Sequence, residues 1–452
     1  MSCREDGFQS ALKIVIGLGI GTGLCSQYYF AGLVSGLGLW LVSPALVAAG
    51  VLMALRWRGG TRRCCPAKLD AGGSDSLTRW LAGGLVLLLL IDLGVFIWES
   101  VRTPRGNWDA WAIWNLRAHF FYRDGGMAWR DGFTETIAWS HPDYPLLLPT
   151  LVAGGWKLLG RESRAVPVAL GCFFTFGAVL LMLASLAVLR GARQGLLAAV
   201  ALAATPVFFV QGAMQCADVP VAFFRLASLA AMAMAARVEQ SHGRRGFAIA
   251  AGMAAALDGW AKNEGLLWFA AFLISITVTM RWRLIAPFVA GALPALAPIA
   301  LFKARVATSS DIFGAGGRAG MMARALDASR YRLIAREAIK HVWNFGPLLV
   351  SPFVILAIYL IVAGRRRGNR DRPVIRAGAA ALLLTACGYF LIYLLRNLDL
   401  RWLLDTSADR LLVQLWPGVV FLVMLSARLP DTNQATFSAG PSSPGSRISR
   451  CR

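Results

Sequence analysis

Long apolar runs recur along the chain, and they constrain its fold more than any other feature. Most of these runs hold about 17 to 25 residues, which is roughly the length that a helix needs to cross a bilayer. The chain is 57% hydrophobic and only 15% charged. These properties predict an all-α polytopic membrane protein and exclude an ordinary soluble globular fold.

The apolar runs predict about 12 transmembrane helices, and each predicted boundary is accurate to within several residues. The predicted spans are 12–32, 33–55, 80–98, 165–189, 195–213, 219–237, 247–260, 265–280, 284–302, 346–364, 374–396 and 410–428. The segment 144–159 is also apolar, but it is short and contains prolines. We expect an interfacial helix there rather than a span.

The basic residues predict the orientation of the spans. The net charge is +22, and basic clusters follow the second, fourth, sixth, eighth and tenth predicted spans. A cytoplasmic N-terminus places all of these clusters on the inner side, as the positive-inside bias requires. The sequence therefore predicts a multi-pass protein of the cell (inner) membrane with both termini in the cytoplasm. Nucleic acid is not an expected partner, because the chain has no nucleic-acid-binding motif.

This orientation divides the chain into five predicted regions. They are an N-terminal two-span hairpin with its basic loop (1–79), a core with an outer loop at 99–143 (80–303), a basic outer loop (304–345), the C-terminal spans (346–428) and a disordered cytoplasmic tail (429–452). The acids, histidines and aromatic residues collect in the outer loops, whereas the inner loops are short and basic. Any chemistry is therefore expected on the outer face.

The first outer loop contains "GNWDAWAIW", in which Asp109 stands among Trp108, Trp111 and Trp114. Tryptophans at this position can form an interfacial aromatic belt beside a solvated acid. Alternatively, Asp109 is a general base, and the indoles form a wall on which a sugar stacks.

Two further outer motifs each have a structural and a functional interpretation. The stretch "SHPDYPLLLP" either makes a proline turn or presents His141 and Asp143 to a phosphate or a sugar. In "CADVP", Asp218 either caps the next span or contributes to a site.

The turn "DGWAKNEG" places Asp258, Lys262 and Glu264 between two apolar segments. Ionisable residues at such depth usually mark a site, although an internal ion pair that holds a re-entrant turn is the alternative. The stretch "NLDLRWLLDTSADR" places Arg401 and Arg410 before the last span. These arginines either join a salt-bridged loop or capture a phosphate.

Several common catalytic motifs do not occur in the sequence. There is no DxD or ExD pair, so no metal clamp for a sugar nucleotide is predicted, although a divalent metal is not excluded. Walker A, GxSxG and HExxH patterns do not occur either, and no cofactor is expected. No inverted repeat is evident, which disfavours a secondary transporter.

Five motifs, in order over about residues 80–300, resemble the integral-membrane glycosyltransferases of the GT-C superfamily. They are "WDAW", "HPDYPLLLP", "GRESRAVPVALG" with Glu162 and Arg164, "ADVP" and "AKNEG". The likeness is to the family that groups protein O-mannosyltransferases, lipid A aminoarabinose transferases and the galacturonosyltransferases of lipopolysaccharide core.

The resemblance implies a GT-C-like fold and a reaction on the periplasmic face. The implied donor is a polyprenyl-phosphate-linked sugar, and the implied acceptor is a lipid, a glycan or a protein. Asp109 would act as the catalytic base in one inverting displacement. The expected donor-phosphate ligands are Arg164, Lys262, Arg401, Arg410 and His141. The expected sugar or acceptor ligands are Trp108, Trp111, Asp143, Asp218 and Glu264.

Two other classes remain open on the sequence. A multi-pass transporter or lipid flippase would also need charged residues within its spans, but these should line a path through both leaflets. A structural or assembly protein of the membrane would leave envelope glycans unchanged when Asp109 is substituted.

Overall fold

A computed structural model of the chain describes residues 2–36, 76–123, 128–280, 282–308, 317–346, 349–365 and 371–428. Within these ranges the secondary structure is helical and no β-strand forms. Most of the predicted second span at 33–55 and the predicted tail at 429–452 lie outside the described residues.

The helices are numbered here in chain order. They are α1 (Ser2–Ser35), α2 (Ser76–Arg102), α3 (Asn115–Tyr122), α4 (Leu147–Leu159), α5 (Ala165–Arg190), α6 (Ala192–Ala203), α7 (Pro206–Ala213), α8 (Asp218–Arg237), α9 (Ser241–Ala261), α10 (Asn263–Thr279), α11 (Trp282–Arg305), α12 (Gly317–Leu326), α13 (Ala328–Asn344), α14 (Pro352–Ala363), α15 (Arg372–Leu395) and α16 (Leu400–Ser426). A π-helical turn (Ala110–Trp114) precedes α3, and two 3₁₀ segments (Ala128–Phe133 and Glu135–Ser140) follow it.

Among the described helices, 7 are long and apolar enough to cross a membrane, namely α1, α2, α5, α8, α11, α15 and α16. Helices α6 and α7 meet at a bend of 63° and could together form an eighth crossing. Helices α10 and α14 lie at predicted spans but are shorter apolar helices. The predicted class, a helical polytopic membrane protein, is therefore confirmed. The predicted number of 12 spans stays a prediction, because the described residues give 7 or 8 candidate spans and most of the second predicted span lies outside them.

Helix α8 lies at the centre of the bundle, where 94% of its most apolar stretch is buried. Its neighbour α9 packs closely on α11 through small residues. A Cβ atom at Gly252 would overlap the carbonyl oxygen of Phe288, and one at Gly291 would overlap that of Ile249. Glycines at these two positions allow the two backbones to touch, which is how helices associate in lipid.

The elements that carry most of the predicted outer motifs meet at one end of the bundle. Helix α8 begins there at Asp218, and the turn between α9 and α10 lies beside it. Helix α4, predicted as an interfacial helix, has 13 residues. That length is shorter than a bilayer crossing requires.

Candidate functional site

Asp218 occupies the middle of a cluster of charged side chains and is fully buried. Its Oδ2 accepts a hydrogen bond of 2.8 Å from Nε of Arg410. Its Oδ1 accepts one of 3.1 Å from Nζ of Lys262 and one of 2.7 Å from Nε2 of Gln414. The N-cap interpretation of Asp218 is wrong, because the cap is Ala217 and no side-chain cap bond forms. The carboxylate instead holds two cations that come from distant parts of the chain.

Arg410 connects Asp218 to Asp109. Its Nη2 lies 2.6 Å from Oδ2 of Asp109 and 2.8 Å from Oδ2 of Asp218. The Asp109 side chain is 20% exposed, whereas that of Asp218 is 0% exposed. Asp109 is therefore the carboxylate of this pair that a molecule from outside the protein can reach.

The loop that carries Asp109 is fixed on the segment before α8. Gly106 has φ 72°, and a Cβ atom there would overlap the carbonyl oxygen of Met214. The amide of Asn107 donates to that carbonyl at 3.3 Å, and Cys216 Sγ donates to the Asn107 side chain at 2.9 Å. A glycine at position 106 thus lets the loop at 99–143 approach closely enough for Asp109 to reach Arg410.

Lys262 lies in extended conformation between α9 and α10, and its side chain is 7% exposed. Its Nζ is 3.0 Å from Oε1 of Glu264 as well as 3.1 Å from Asp218. The second oxygen of Glu264, Oε2, is enclosed and has no hydrogen-bond partner among the described residues. This oxygen is therefore an acceptor whose hydrogen-bonding capacity is unused within the described residues.

Glycine also shapes the turn that presents Lys262. A Cβ atom at Gly265 would overlap the carbonyl group of Asp258, so the start of α10 can lie against the end of α9 only because this residue has no side chain. The amide of Gly265 donates to the Lys262 carbonyl oxygen at 2.9 Å and closes the turn.

A buried polar network extends from Asp218 towards the middle of the bundle. Gln414 accepts a hydrogen bond of 2.6 Å from the Tyr389 hydroxyl, and that hydroxyl accepts one of 2.7 Å from Nη1 of Arg225. Arg225 also donates through Nε to Asp258 at 2.9 Å and through Nη2 to the Glu264 carbonyl oxygen at 3.3 Å. The network therefore supports both the carboxylate of Asp218 and the turn that carries Lys262.

Asp143 lies in a second group beside the same turn. Nδ2 of Asn263 donates to Oδ2 of Asp143 at 2.8 Å, and Nζ of Lys303 donates to Oδ1 of Asn263 at 2.7 Å. Lys303 also contacts the backbone carbonyl of Asp143 and lies 3.8 Å from its Oδ2. This group joins the "SHPDYP" loop to the end of α11.

His141 has φ 52° and stacks on Tyr144 with ring centroids 4.8 Å apart. Arg117 supports this loop by donating to Oγ of Ser140 at 3.2 Å. Burial lowers the pKa of Arg117 to about 10, and the nearby charge of Asp143 opposes that shift. Arg117 remains a cation at neutral pH and contributes positive charge behind the loop.

Three half-exposed tryptophans, Trp108, Trp111 and Trp139, form what we call the tryptophan patch beside Asp109. Their exposed fractions are 48%, 46% and 50%. The ring of Trp108 lies 6.0 Å from that of Trp111 and 6.1 Å from that of Trp139. Trp139 was not among the sequence candidates. An aromatic side chain 31 residues away in the chain gives no signal that it will fold against Trp108.

Two predicted phosphate ligands lie apart from the charged cluster. Arg164 and Arg401 are exposed, and neither forms an ion pair with the cluster in the described part of the chain. Glu162 instead binds Arg123 at 2.6 and 2.9 Å and lies 3.2 Å from His119. The hydrogen bonds from Arg123 lower the pKa of Glu162. The "GRES" motif therefore makes its own ion pair at the surface.

The structure brings together five of the eleven candidates, namely Asp109, Asp218, Lys262, Glu264 and Arg410. Arg225, Lys303, Tyr389 and Gln414 support the site and were missed. Arg225 gave a usable signal, because it is a charge within an otherwise apolar span. The cluster holds a partly exposed carboxylate, two cations and an enclosed acceptor oxygen with no partner among the described residues, a set of groups that could bind a molecule with an anionic group and hydroxyls.

Comparison with known proteins assigns no family. No protein-family model matches the chain, and neither a curated protein nor a solved structure matches it significantly.

Proposed function

We propose that the protein is a membrane glycosyltransferase of the GT-C type. It would move a sugar from a polyprenyl-phosphate donor to an envelope acceptor at the periplasmic face of the membrane, with inversion at the anomeric carbon. The observation that carries this proposal is the contact of Asp109 and Asp218 through Arg410, with Lys262 on the other side of Asp218. Four separate sequence motifs thus contribute to one cluster.

The proposed reaction assigns Asp109 as the general base. It accepts the proton of the acceptor hydroxyl, whose oxygen attacks the anomeric carbon while the bond from that carbon to the phosphate oxygen breaks. The phosphate leaves with an added negative charge. Arg410 and Lys262 would stabilise that charge, and the support for these roles is that both are cations held in an enclosed site.

The other residues of the cluster have supporting roles in this proposal. Asp218 is fully buried and uses both oxygens on cations and Gln414, so it orients Arg410 and Lys262 rather than touching the sugar. Glu264 binds Lys262 with one oxygen and offers the other to a sugar hydroxyl. The tryptophan patch offers stacking surface beside Asp109.

The proposal is tested by lipid and glycan mass spectrometry on a deletion strain and its wild-type complement. A transferase deletion should lose a sugar-sized mass from an envelope acceptor and accumulate the polyprenyl-phosphate-linked sugar. Wild-type protein should reverse both changes. If the deletion changes no envelope glycan and no lipid-linked sugar accumulates, the protein is not this transferase, and a transporter becomes the better interpretation.

A further inference from the structure

A second group of polar side chains lies on the outer segment, where α13 packs on the first turns of α16. Glu337 and His341 are one helical turn apart on α13, and Asp405 and Asp409 are one turn apart on α16. Ligand atoms of Glu337, His341 and Asp405 all lie within 4.8 Å of one another. These three side-chain types are common ligands of divalent transition metals.

The two ring nitrogens of His341 have different surroundings. Its Nδ1 lies 2.7 Å from Oδ1 of Asp409, so the carboxylate fixes the proton on Nδ1. The other nitrogen, Nε2, is enclosed and has no hydrogen-bond partner among the described residues. A metal-binding histidine usually donates the N–H of one ring nitrogen to a partner such as a carboxylate and binds the metal through the lone pair of the other nitrogen.

We infer that Glu337, His341 and Asp405 form a binding site for one divalent transition-metal ion, with Zn²⁺ the best match to one imidazole and two carboxylates. In a tetrahedral zinc site with bonds of about 2.0–2.2 Å, ligand atoms are about 3.4 Å apart. The three groups must therefore approach one another slightly. The Asp405 side chain is 62% exposed and is free to make this movement.

Lys340 shows that the site attracts a cation. Its Nζ lies 2.8 Å from Oε2 of Glu337 and 3.9 Å from Oδ1 of Asp405. The lysine side chain is 53% exposed, so it can leave these carboxylates when a divalent ion arrives. Lys340 therefore competes with the ion, and its removal should strengthen metal binding.

The ion would connect two elements that are distant in the chain. Glu337 and His341 belong to the basic outer segment, and Asp405 precedes Arg410 by five residues on α16. A metal bound here would fix α13 on the outer end of the helix that carries Arg410. This inference does not depend on the proposed transferase activity.

The test uses the full-length protein, purified in detergent through a tag that contains no histidine and treated with a chelator. Zn²⁺ is then titrated against a fluorescent zinc chelator, and metal content after dialysis is measured by mass spectrometry. We expect one Zn²⁺ per chain. His341→Ala and Asp405→Asn should each weaken binding by more than tenfold, and Asp409→Asn should weaken it by about 10–100-fold. Lys340→Met should strengthen it.

Two variants serve as matched controls. His242→Ala removes an exposed histidine, and Asp131→Asn removes an exposed acid outside the group, so both should bind Zn²⁺ like the wild type. If His341→Ala fails to fold, Asp405→Asn carries the test because its side chain is largely exposed. The inference is overturned if the wild type binds no Zn²⁺, or if the folded ligand variants bind it as tightly as the wild type.

Discussion

Arg410 and Asp218 form a buried ion pair in which both Nε and Nη2 of the arginine lie 2.8 Å from Oδ2 of the carboxylate. The same Nη2 lies 2.6 Å from Oδ2 of Asp109, which belongs to the loop at 99–143. One guanidinium group thus connects a fully buried acid to a partly exposed one. This relationship is the basis for the different roles that we propose for the two carboxylates, structural for Asp218 and reactive for Asp109.

Asp218→Ala should destabilise the protein severely. It removes the negative charge that faces Arg410 and Lys262, and it leaves two cations without their buried partner. Breaking a buried pair in this way costs about 3–5 kcal/mol. Gln414→Leu removes the hydrogen bond from Gln414 to the same carboxylate and the acceptor of the Tyr389 hydroxyl, but no charge, so it should cost less, about 1.5–3 kcal/mol. Unfolding of the purified protein in detergent measures the loss of stability for each variant. Equal losses for the two substitutions would contradict the assignment of Asp218 as the buried partner of both cations.

The pair of Arg225 and Asp258 allows a test of the supporting network. Both side chains are buried, with exposed fractions of 1% and 0%. Arg225→Leu should cost roughly 3–5 kcal/mol because it leaves Asp258 without its cation. Adding Asp258→Asn should recover part of that loss, and a double-mutant cycle should show strong coupling. Simple additivity of the two single effects would show that the pair contributes no mutual stabilisation.

The ion pair of Glu162 and Arg123 predicts a loss of stability in acid. The hydrogen bonds from Arg123 lower the pKa of Glu162 below its ordinary value of 4.5. The stabilisation is therefore complete above about pH 4.5 and is lost as the pH falls through the lower, folded-state value. Melting temperatures of the wild type and Glu162→Gln should differ at pH 6 and converge towards pH 3. A difference that stays constant over this range would contradict the prediction.

The tryptophan patch predicts an effect on substrate binding rather than on turnover. Trp139→Ala should raise the acceptor or donor concentration for half-maximal transfer by up to about tenfold, because an aromatic contact contributes roughly 0.5–1.5 kcal/mol. The maximal rate should change little. The matched control is Trp282→Ala, which removes a tryptophan that is 73% exposed at the start of α11. Equal effects of the two substitutions would indicate a general membrane role for surface indoles.

The fold class and several site residues were predictable because both follow from local sequence. Apolar runs identify the membrane helices, and charged residues within or beside these runs can be recognised as candidate site residues. The bend in the predicted span 195–213 was also signalled, since Pro206 disfavours helix at the residue before it. That span consists of two helices with an angle of 63° between them.

The grouping of residues in space was less predictable. Arg401 and Arg410 were both proposed as phosphate ligands, but nine residues correspond to about two and a half helical turns. Their side chains therefore lie on opposite sides of α16, and only Arg410 reaches the cluster. Gln414 follows Arg410 by one turn and lies on the same side, which the helical period could have revealed.

The supporting residues from other helices gave weaker signals. Tyr389 and Lys303 reach the site only because α15 and α11 pack beside it, and that packing depends on long-range contacts. The same is true of the group formed by Glu337, His341 and Asp405, since its ligands come from two helices that are distant in the chain. Motif spacing within one segment cannot identify such a group.

The most direct test of the proposed function is envelope glycolipid mass spectrometry on a deletion strain that carries Asp109→Asn at normal abundance. Asp131→Asn, which changes an exposed acid in the same loop at 99–143, is the matched control. The proposal predicts that the wild type and Asp131→Asn restore the sugar mass that the deletion lost, whereas Asp109→Asn does not. If Asp109→Asn restores the full mass, Asp109 is not the base, and the central claim about this cluster is wrong.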